Sequence, residues 1–372
     1  MIQEQLQDKC RGSLVGGAVG DALGYEVEFM SLPAILKRFG TNGISCYVLD
    51  KSGVAEFSDD TQMSLFTAEG LLTAIGDGKI YEKDILPYIT AAYGHWYYTQ
   101  CLPPLKMSKS WLTHISALWA RRAPGMTCMS ALQSILMPNS APVVNNSKGC
   151  GGVMRVAPIG IFSAACPKTL NLEHAGYLAG YAADITHKHP LSTYSSMALA
   201  MIVADCIANY KVDREKFRFI VLDRVFKLLG LYFNDDKYLA GLNNLICYAL
   251  VLAESEKSDT DAIRELGEGW VAEETLAIAV FSVMRHIDDF EKCVCCAVNY
   301  DGDSDSTGAV AGNIIGAILG DSAIPGKYTT NLELHDVIIS VADDLGGFSS
   351  PEQMTERYRK HKPFNVNANN LL

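Results

Sequence analysis

The chain has 372 residues, of which 49% are hydrophobic and 20% charged, and carries a formal net charge of −11. The balance is that of a globular protein, long enough for one large domain or two and for a full core without staples. The acidic surplus argues against nucleic-acid backbones and anionic membranes as main partners, while leaving room for a small anionic ligand in a local site.

Helical periodicity dominates from the start. A helix is expected over 9–23, with Gly12, Gly16, Gly20 and Gly24 on one face. Segment 44–49 is the one convincing strand candidate, and one strand does not make a sheet. Ser58-Asp59-Asp60-Thr61 opens a helix over 61–75, with Asp59 or Asp60 as its cap. Further helices are expected over 83–99, 108–121 and 127–137. The Gly/Pro-rich stretch 138–152 reads as a functional loop. Helix 170–186 ends at Thr186-His187-Lys188-His189-Pro190. Helices then follow over 191–209, 213–230, 237–253, 271–286 and 289–298. Asp301-Gly302-Asp303-Ser304-Asp305-Ser306 leads into helix 306–319, which repeats the stripe with Gly308, Gly312, Gly316 and Gly320. A last helix over 331–343 brings the expected domain to about residue 350, and 351–372 reads as a loosely held polar tail.

A glycine inside a helix costs about 1 kcal/mol relative to alanine. Two full stripes therefore imply close backbone packing, of the two helices on each other or on a shared partner. That packing would carry Asp21 and Glu28 towards the second acidic run. The eleven cysteines show no paired spacing apart from Cys293, Cys295 and Cys296, and read as thiols of a reducing compartment. The polar N-terminus is not a secretory signal, and no apolar run reaches the ~18–20 residues of a bilayer span, so a cytoplasmic location is expected.

Crowded carboxylates repel, and a hard cation with oxygen ligands offsets that repulsion. The two acidic runs, if the fold brings them together, form an oxygen-lined metal site with room for two ions. The second run has the Asp-x-Asp-x-Asp spacing of a calcium loop, but Ser306 and Gly312 stand where an EF-hand needs Gly and Glu. Between the runs, Ser147-Lys148-Gly149-Cys150-Gly151-Gly152 could be a phosphate-binding nest or a flexible loop. His187 reads as a polar contact in a pocket, and Trp270 as either a stacking surface or core.

With these motifs in order, from the opening helix Arg11–Gly24 and Glu28 through Ser58–Thr61, the stretch ending Val153-Met154-Arg155 and Thr186-His187 to Gly302–Ser306, the chain resembles the ADP-ribosylglycohydrolase family over about residues 8–322. The resemblance implies a compact all-helical domain with two magnesium or manganese ions between helix-start loops. It implies Ser58, Asp59, Asp60, Asp303, Asp305 and Ser306 as metal ligands. Glu28, Asp59, Asp60 and Asp303 would be catalytic, and Ser147, Gly149, Cys150, Gly151, Gly152 and His187 would hold substrate. The implied reaction is hydrolysis of the bond between ADP-ribose and a modified protein side chain, so that the partner is an ADP-ribosylated protein or other ADP-ribose conjugate. A non-turnover ADP-ribose-binding or toxin-immunity module and a hydrolase of another nucleotide ester are the alternatives.

Overall fold

The computed structural model describes residues 2–103, 110–137, 142–234 and 236–359. Part of the loop expected at 138–152, the first residues of the helix expected at 108–121, and the tail beyond residue 359 lie outside the described residues. Among the described residues the chain is all-helical, with no strand.

In chain order the helices are α1 (Gln3–Tyr25), α2 (Leu32–Phe39), α3 (Asp59–Gly76), α4 (Glu82–Cys101), α5 (Met126–Leu136), α6 (Ala157–Ala165), α7 (Leu172–Asp184), α8 (Pro190–Ala208), α9 (Arg214–Phe219), α10 (Lys227–Tyr232), α11 (Lys237–Ala253), α12 (Asp259–Leu266), α13 (Ala272–Arg285), α14 (Phe290–Val298), α15 (Ser304–Leu319), α16 (Gly326–Thr329), α17 (His335–Gly346) and α18 (Pro351–Met354). A π-helical stretch, Ile220–Phe226, joins α9 to α10.

Several expectations need correction. Segment 44–49 is irregular. No neighbouring strand meets it, and the Asn299 side chain satisfies its backbone instead: Ile44 N donates to Asn299 Oδ1 (2.7 Å), and Asn299 Nδ2 donates to Ile44 O (2.9 Å). The helix expected at 108–121 is replaced by two 3₁₀ turns, Leu112–His114 and Ser116–Trp119. There the buried Glu69 carboxylate accepts from Ser110 Oγ (2.6 Å) and Leu112 N (3.2 Å), fixing the segment from the side. Finally, α8 is long and apolar enough to cross a membrane by length and composition, though 83% of its apolar window is buried inside the fold, as for a core helix.

The glycine stripes organise the centre. The helices α1 and α15 run antiparallel in backbone contact: Gly12 meets Gly316 and Gly320, Gly16 meets Gly312, Gly20 meets Gly308, and Gly24 meets Ser304. A Cβ at any of these α1 positions would strike the backbone of α15. Ser13 and Asn313 tie the pair across the interface, with Ser13 Oγ donating to Asn313 O (2.9 Å) and Asn313 Nδ2 donating to Ser13 O (2.8 Å). Helices α13, α14 and α8 cover α15, while α17 and α6 flank α1. The core is continuous through these layers. Residues 351–359, read from the sequence as tail, form α18 and a further helical turn. Tyr358 is buried, donating to Asp344 Oδ2 (2.7 Å).

Candidate active site

Antiparallel packing of α1 on α15 sets the C-terminal end of α1 beside the N-terminal end of α15. Buried Asp21, on α1, then fixes a third element. Its carboxylate accepts from Ser58 N (2.8 Å), Thr61 N (2.9 Å) and Thr61 Oγ1 (2.5 Å), which are the free donors of the first turn of α3. The cap of α3 differs by one or two residues from the one expected. Ser58, not an aspartate, caps α3 by accepting from Asp60 N (3.2 Å). Asp303 caps α15, with Ser306 N donating to Asp303 Oδ1 (3.4 Å) and Asp305 Oδ1 (2.9 Å). Two helix N-termini thus face the same point, and both favour negative charge there.

The glycine-rich loop is tied to the segment before α13. Cys150 N donates to Trp270 O (3.2 Å), Ala272 N donates to Lys148 O (2.8 Å), and Lys148 pairs with Glu273. Asp303 N in turn donates to Glu268 O (2.8 Å). Loop, segment and acidic run therefore form one connected rim.

A cavity of 210 Å³ opens at this rim. Glu28, Asp59, Asp60, Asp303, Asp305 and Ser306 line one side, and Gly149, Cys150, Gly151 and His187 the other. Oxygens of Glu28, Asp303 and Asp305 lie within 4.8 Å of one another. Ser58, Ser147 and Gly152 do not line the cavity. Ser58 is buried as a cap, and Gly152 packs against Ser192 and Ala183. Ser147 supports the loop from behind, where Gly149 N reaches its Oγ (3.4 Å). His189 also stays outside: its ring caps α8 through Leu191 N (3.1 Å) and packs on Tyr238.

The electrostatics are one-sided. Glu28 Oε2, Asp60 Oδ2 and Asp303 Oδ2 are buried with no hydrogen-bond partner. Among the described residues no ion pair reaches Glu28, Asp59, Asp60, Asp303 or Asp305. The nearby Arg122 is engaged by Glu56 (2.9 Å) and Glu333 (3.0 Å). Burial, reinforced by the charge of Asp305, pushes the carboxyls of Asp59, Asp60 and Asp303 well above the usual range. The same causes raise Glu28 to about 9 and Asp21 to about 7. Unpartnered acidic oxygens at the mouth of a cavity fit a hard divalent cation.

The contrast with a second cluster is instructive. Asp259, His286 and Cys296 also converge, beside a larger cavity of 670 Å³. There, however, His286 Nε2 lies 2.9 Å from Asp259 Oδ2 and Arg285 Nε lies 3.3 Å from Oδ1, and these partners hold the Asp259 carboxyl below its usual range. That cluster is already balanced and ties α12 to α13 and α14.

A family model described as ADP-ribosylglycohydrolase matches residues 2–353. The chain belongs to the ADP-ribosylglycohydrolase family. It is 24% identical over 345 residues to the ADP-ribosyl-[dinitrogen reductase] glycohydrolase of Rhodospirillum rubrum, covering 90% of this chain and 93% of that protein. It is 25% identical over 355 residues to an ADP-ribosylarginine hydrolase of Serratia proteamaculans, covering 93% of this chain and 81% of that one. A solved structure, an ADP-ribosylglycohydrolase-related protein complex, superposes with a TM-score of 0.62 at 22% identity, covering 93% of this chain and all of that one. That likeness shows the ADP-ribosylglycohydrolase fold.

Within this ADP-ribosylglycohydrolase fold, sequence reasoning missed several residues at the site. Asp21, which holds the start of α3, was only placed nearby. Cys128 and Met154 line the cavity; Cys128 sits in a run that reads as helix, and Met154 closes the glycine-rich stretch without being singled out. Trp270, left open by the sequence, is at the rim and stacks on exposed Phe29 with ring centroids 5.9 Å apart.

Proposed function

We propose that this chain hydrolyses the glycosidic bond between ADP-ribose and a protein side chain, with Mg²⁺ or Mn²⁺ as cofactor. The observation that carries this reading is the convergence of Glu28, Asp59, Asp60, Asp303 and Asp305 on one cavity without a cationic partner, in a member of the ADP-ribosylglycohydrolase family. Ser58, expected among the ligands, is buried as the cap of α3; Asp59, Asp60, Asp303, Asp305 and Ser306, which line the cavity, would hold two ions. When bound, these supply Lewis acidity towards the hydroxyls of the distal ribose.

The chain's own groups do the rest. In the turn at Gly149, Cys150 and Gly151, the N–H groups of Gly149 and Cys150 are engaged by Ser147 Oγ and Trp270 O, so Gly151 is the residue whose backbone N–H is offered to the diphosphate, supported by Ser147 and Gly152 and faced by His187. Glu28, which lines the cavity with Oε2 free of any protein partner, carries the proton. Water adds to the anomeric carbon as the bond to the side-chain atom breaks, and the proton lost by the water ends on the departing side chain. Asp59, Asp60 and Asp303 stabilise the oxocarbenium-like charge that develops between.

The test is release of ADP-ribose from an ADP-ribosylated protein, with Mg²⁺, with Mn²⁺ and with chelator. We expect release that needs metal and is lost in Asp60→Ala and Asp303→Ala. Normal release by either variant, or release indifferent to chelator, would remove the assignment.

A further inference from the structure

Arg155 is fully buried, yet the mechanism above gives it no task. It lies over the Tyr93 ring, 4.3 Å from the centroid, and its Nη2 donates to Ala182 O (3.0 Å) and Thr186 Oγ1 (2.7 Å). Thr186 Oγ1 in turn lies 2.8 Å from His187 Nδ1. A hydroxyl has one proton and two lone pairs. One lone pair of Thr186 is taken by the guanidinium. The competing acceptors for the hydroxyl proton, Ala183 O at 3.5 Å and the weakly accepting sulfur of buried Cys128, are more distant or poorer than Nδ1 at 2.8 Å, so the proton goes to Nδ1. A proton on Nδ1 instead would leave the hydroxyl proton only those poorer acceptors and set an N–H towards a cation.

The consequence appears on the far side of the ring. With Nδ1 accepting, the imidazole proton sits on Nε2. Nε2 faces the glycine-rich loop so closely that a Cβ would lie 3.3 Å from it at Gly149, and 2.9 Å from the adjacent Cε1 at Gly151. Among the described residues no protein acceptor meets Nε2, and the ring borders the cavity. We infer that Arg155 and Thr186 are positioning residues that lock His187 as its Nε2–H tautomer, giving the cleft a fixed hydrogen-bond donor for an anionic oxygen of the ligand, and neither a base nor a metal ligand. Burial and the charge of Arg155 both push the His187 pKa down, to about 3, which keeps the ring neutral. A neutral donor backed by a buried cation discriminates in favour of an anion without itself changing charge with pH.

The identity of that oxygen, a phosphate oxygen of an ADP-ribose conjugate, rests on the function proposed above; the tautomer does not. Nitrogen-15 NMR of histidine-labelled protein, with the His187 signals assigned by their loss in His187→Gln, reads the tautomer directly. ADP-ribose binding by calorimetry reads the donor. We expect Nε2–H with an unprotonated Nδ1 in the parent. Thr186→Val, which is isosteric, should give mixed tautomers and about tenfold weaker ADP-ribose binding, and Thr186→Ser should restore both. An Nδ1–H or mixed signal in the parent would overturn the lock. Mixed tautomers in Thr186→Val with undiminished ADP-ribose binding would overturn the donor role. No ADP-ribose binding by the parent would overturn the ligand reading and the donor role together, and the tautomer signal then decides the lock alone.

Discussion

At the scale of single residues, the fold holds carboxylic acids in two different ways. The site acids crowd each other, whereas Glu69 is isolated, buried on α3 and engaged by Ser110 and Leu112. Burial raises its carboxyl from 4.5 to about 7, against the pull of those hydrogen bonds. A folded-state pKa above the unfolded one means that the protonated form is favoured in the fold. Its stabilising contribution is therefore complete below about pH 4.5 and is lost as pH rises through 7. Glu69→Gln should remove that loss. In urea unfolding at pH 5 and pH 8, the variant should gain on the parent at the higher pH by up to about 3 kcal/mol, at 1.4 kcal/mol per unit; a constant difference at both pH values would refute the argument. Residues such as these show which part of the site could be read early. Asp59, Asp60, Asp303 and Asp305 were legible because like charges packed at helix starts need a counter-charge. Asp21 was not legible as the group that holds α3, because its partners are backbone donors some 40 positions away. His187 was legible as a pocket residue, but its tautomer depends on a guanidinium that only the fold delivers.

At the scale of elements, the glycine stripes were the strongest structural signal in the chain. They implied close packing of the two helices on each other or on a shared partner; the structure has them on each other, and the antiparallel sense of that meeting joins the acidic runs. The argument predicts opposite outcomes for one substitution at different places. Gly16→Ala and Gly20→Ala put a methyl group into the backbone of α15 at Gly312 and Gly308, and each should cost about 3 kcal/mol or more. Gly241→Ala, exposed on α11 with open space around it, should instead stabilise by roughly 0.5–1 kcal/mol. Chemical denaturation midpoints decide this, and similar effects at the three sites would show that the stripes are not close contacts. Where elements were misread, the cause was local composition. Helix α6 carries Pro158 and Gly160 in its first turns and follows a glycine-rich loop, and no helix was expected there. Segments 44–49 and 110–121 took their expected form from propensity alone, and side chains far off in sequence, Asn299 and Glu69, overrode it.

At the scale of the whole molecule, the centre of the fold carries an unbalanced charge. Asp59, Asp60, Asp303 and Asp305 are buried together, and the helix N-termini and hydrogen bonds that reach them satisfy only part of each carboxylate. Their mutual repulsion acts on the α1–α3–α15 junction that the whole core is built round, so relieving it should stabilise the entire cooperative unit rather than one loop. Mg²⁺ or Mn²⁺ binding to the native state alone should raise the melting temperature, by about 2.7 kcal/mol of added stability at a hundredfold excess over Kd. Removing one buried like charge should act in the opposite sense on the two states. In Asp60→Asn and Asp303→Asn the metal-free protein should melt higher than the parent, because less repulsion remains, while the increment given by metal should shrink or vanish, because a ligand oxygen has become an amide. Thermal melts of parent and variants, with chelator and with each metal, give six melting temperatures for each comparison of two proteins. A parent unaffected by either metal, or variants that melt lower than the parent in chelator while keeping the full metal increment, would mean that the carboxylates are balanced by something other than a cation.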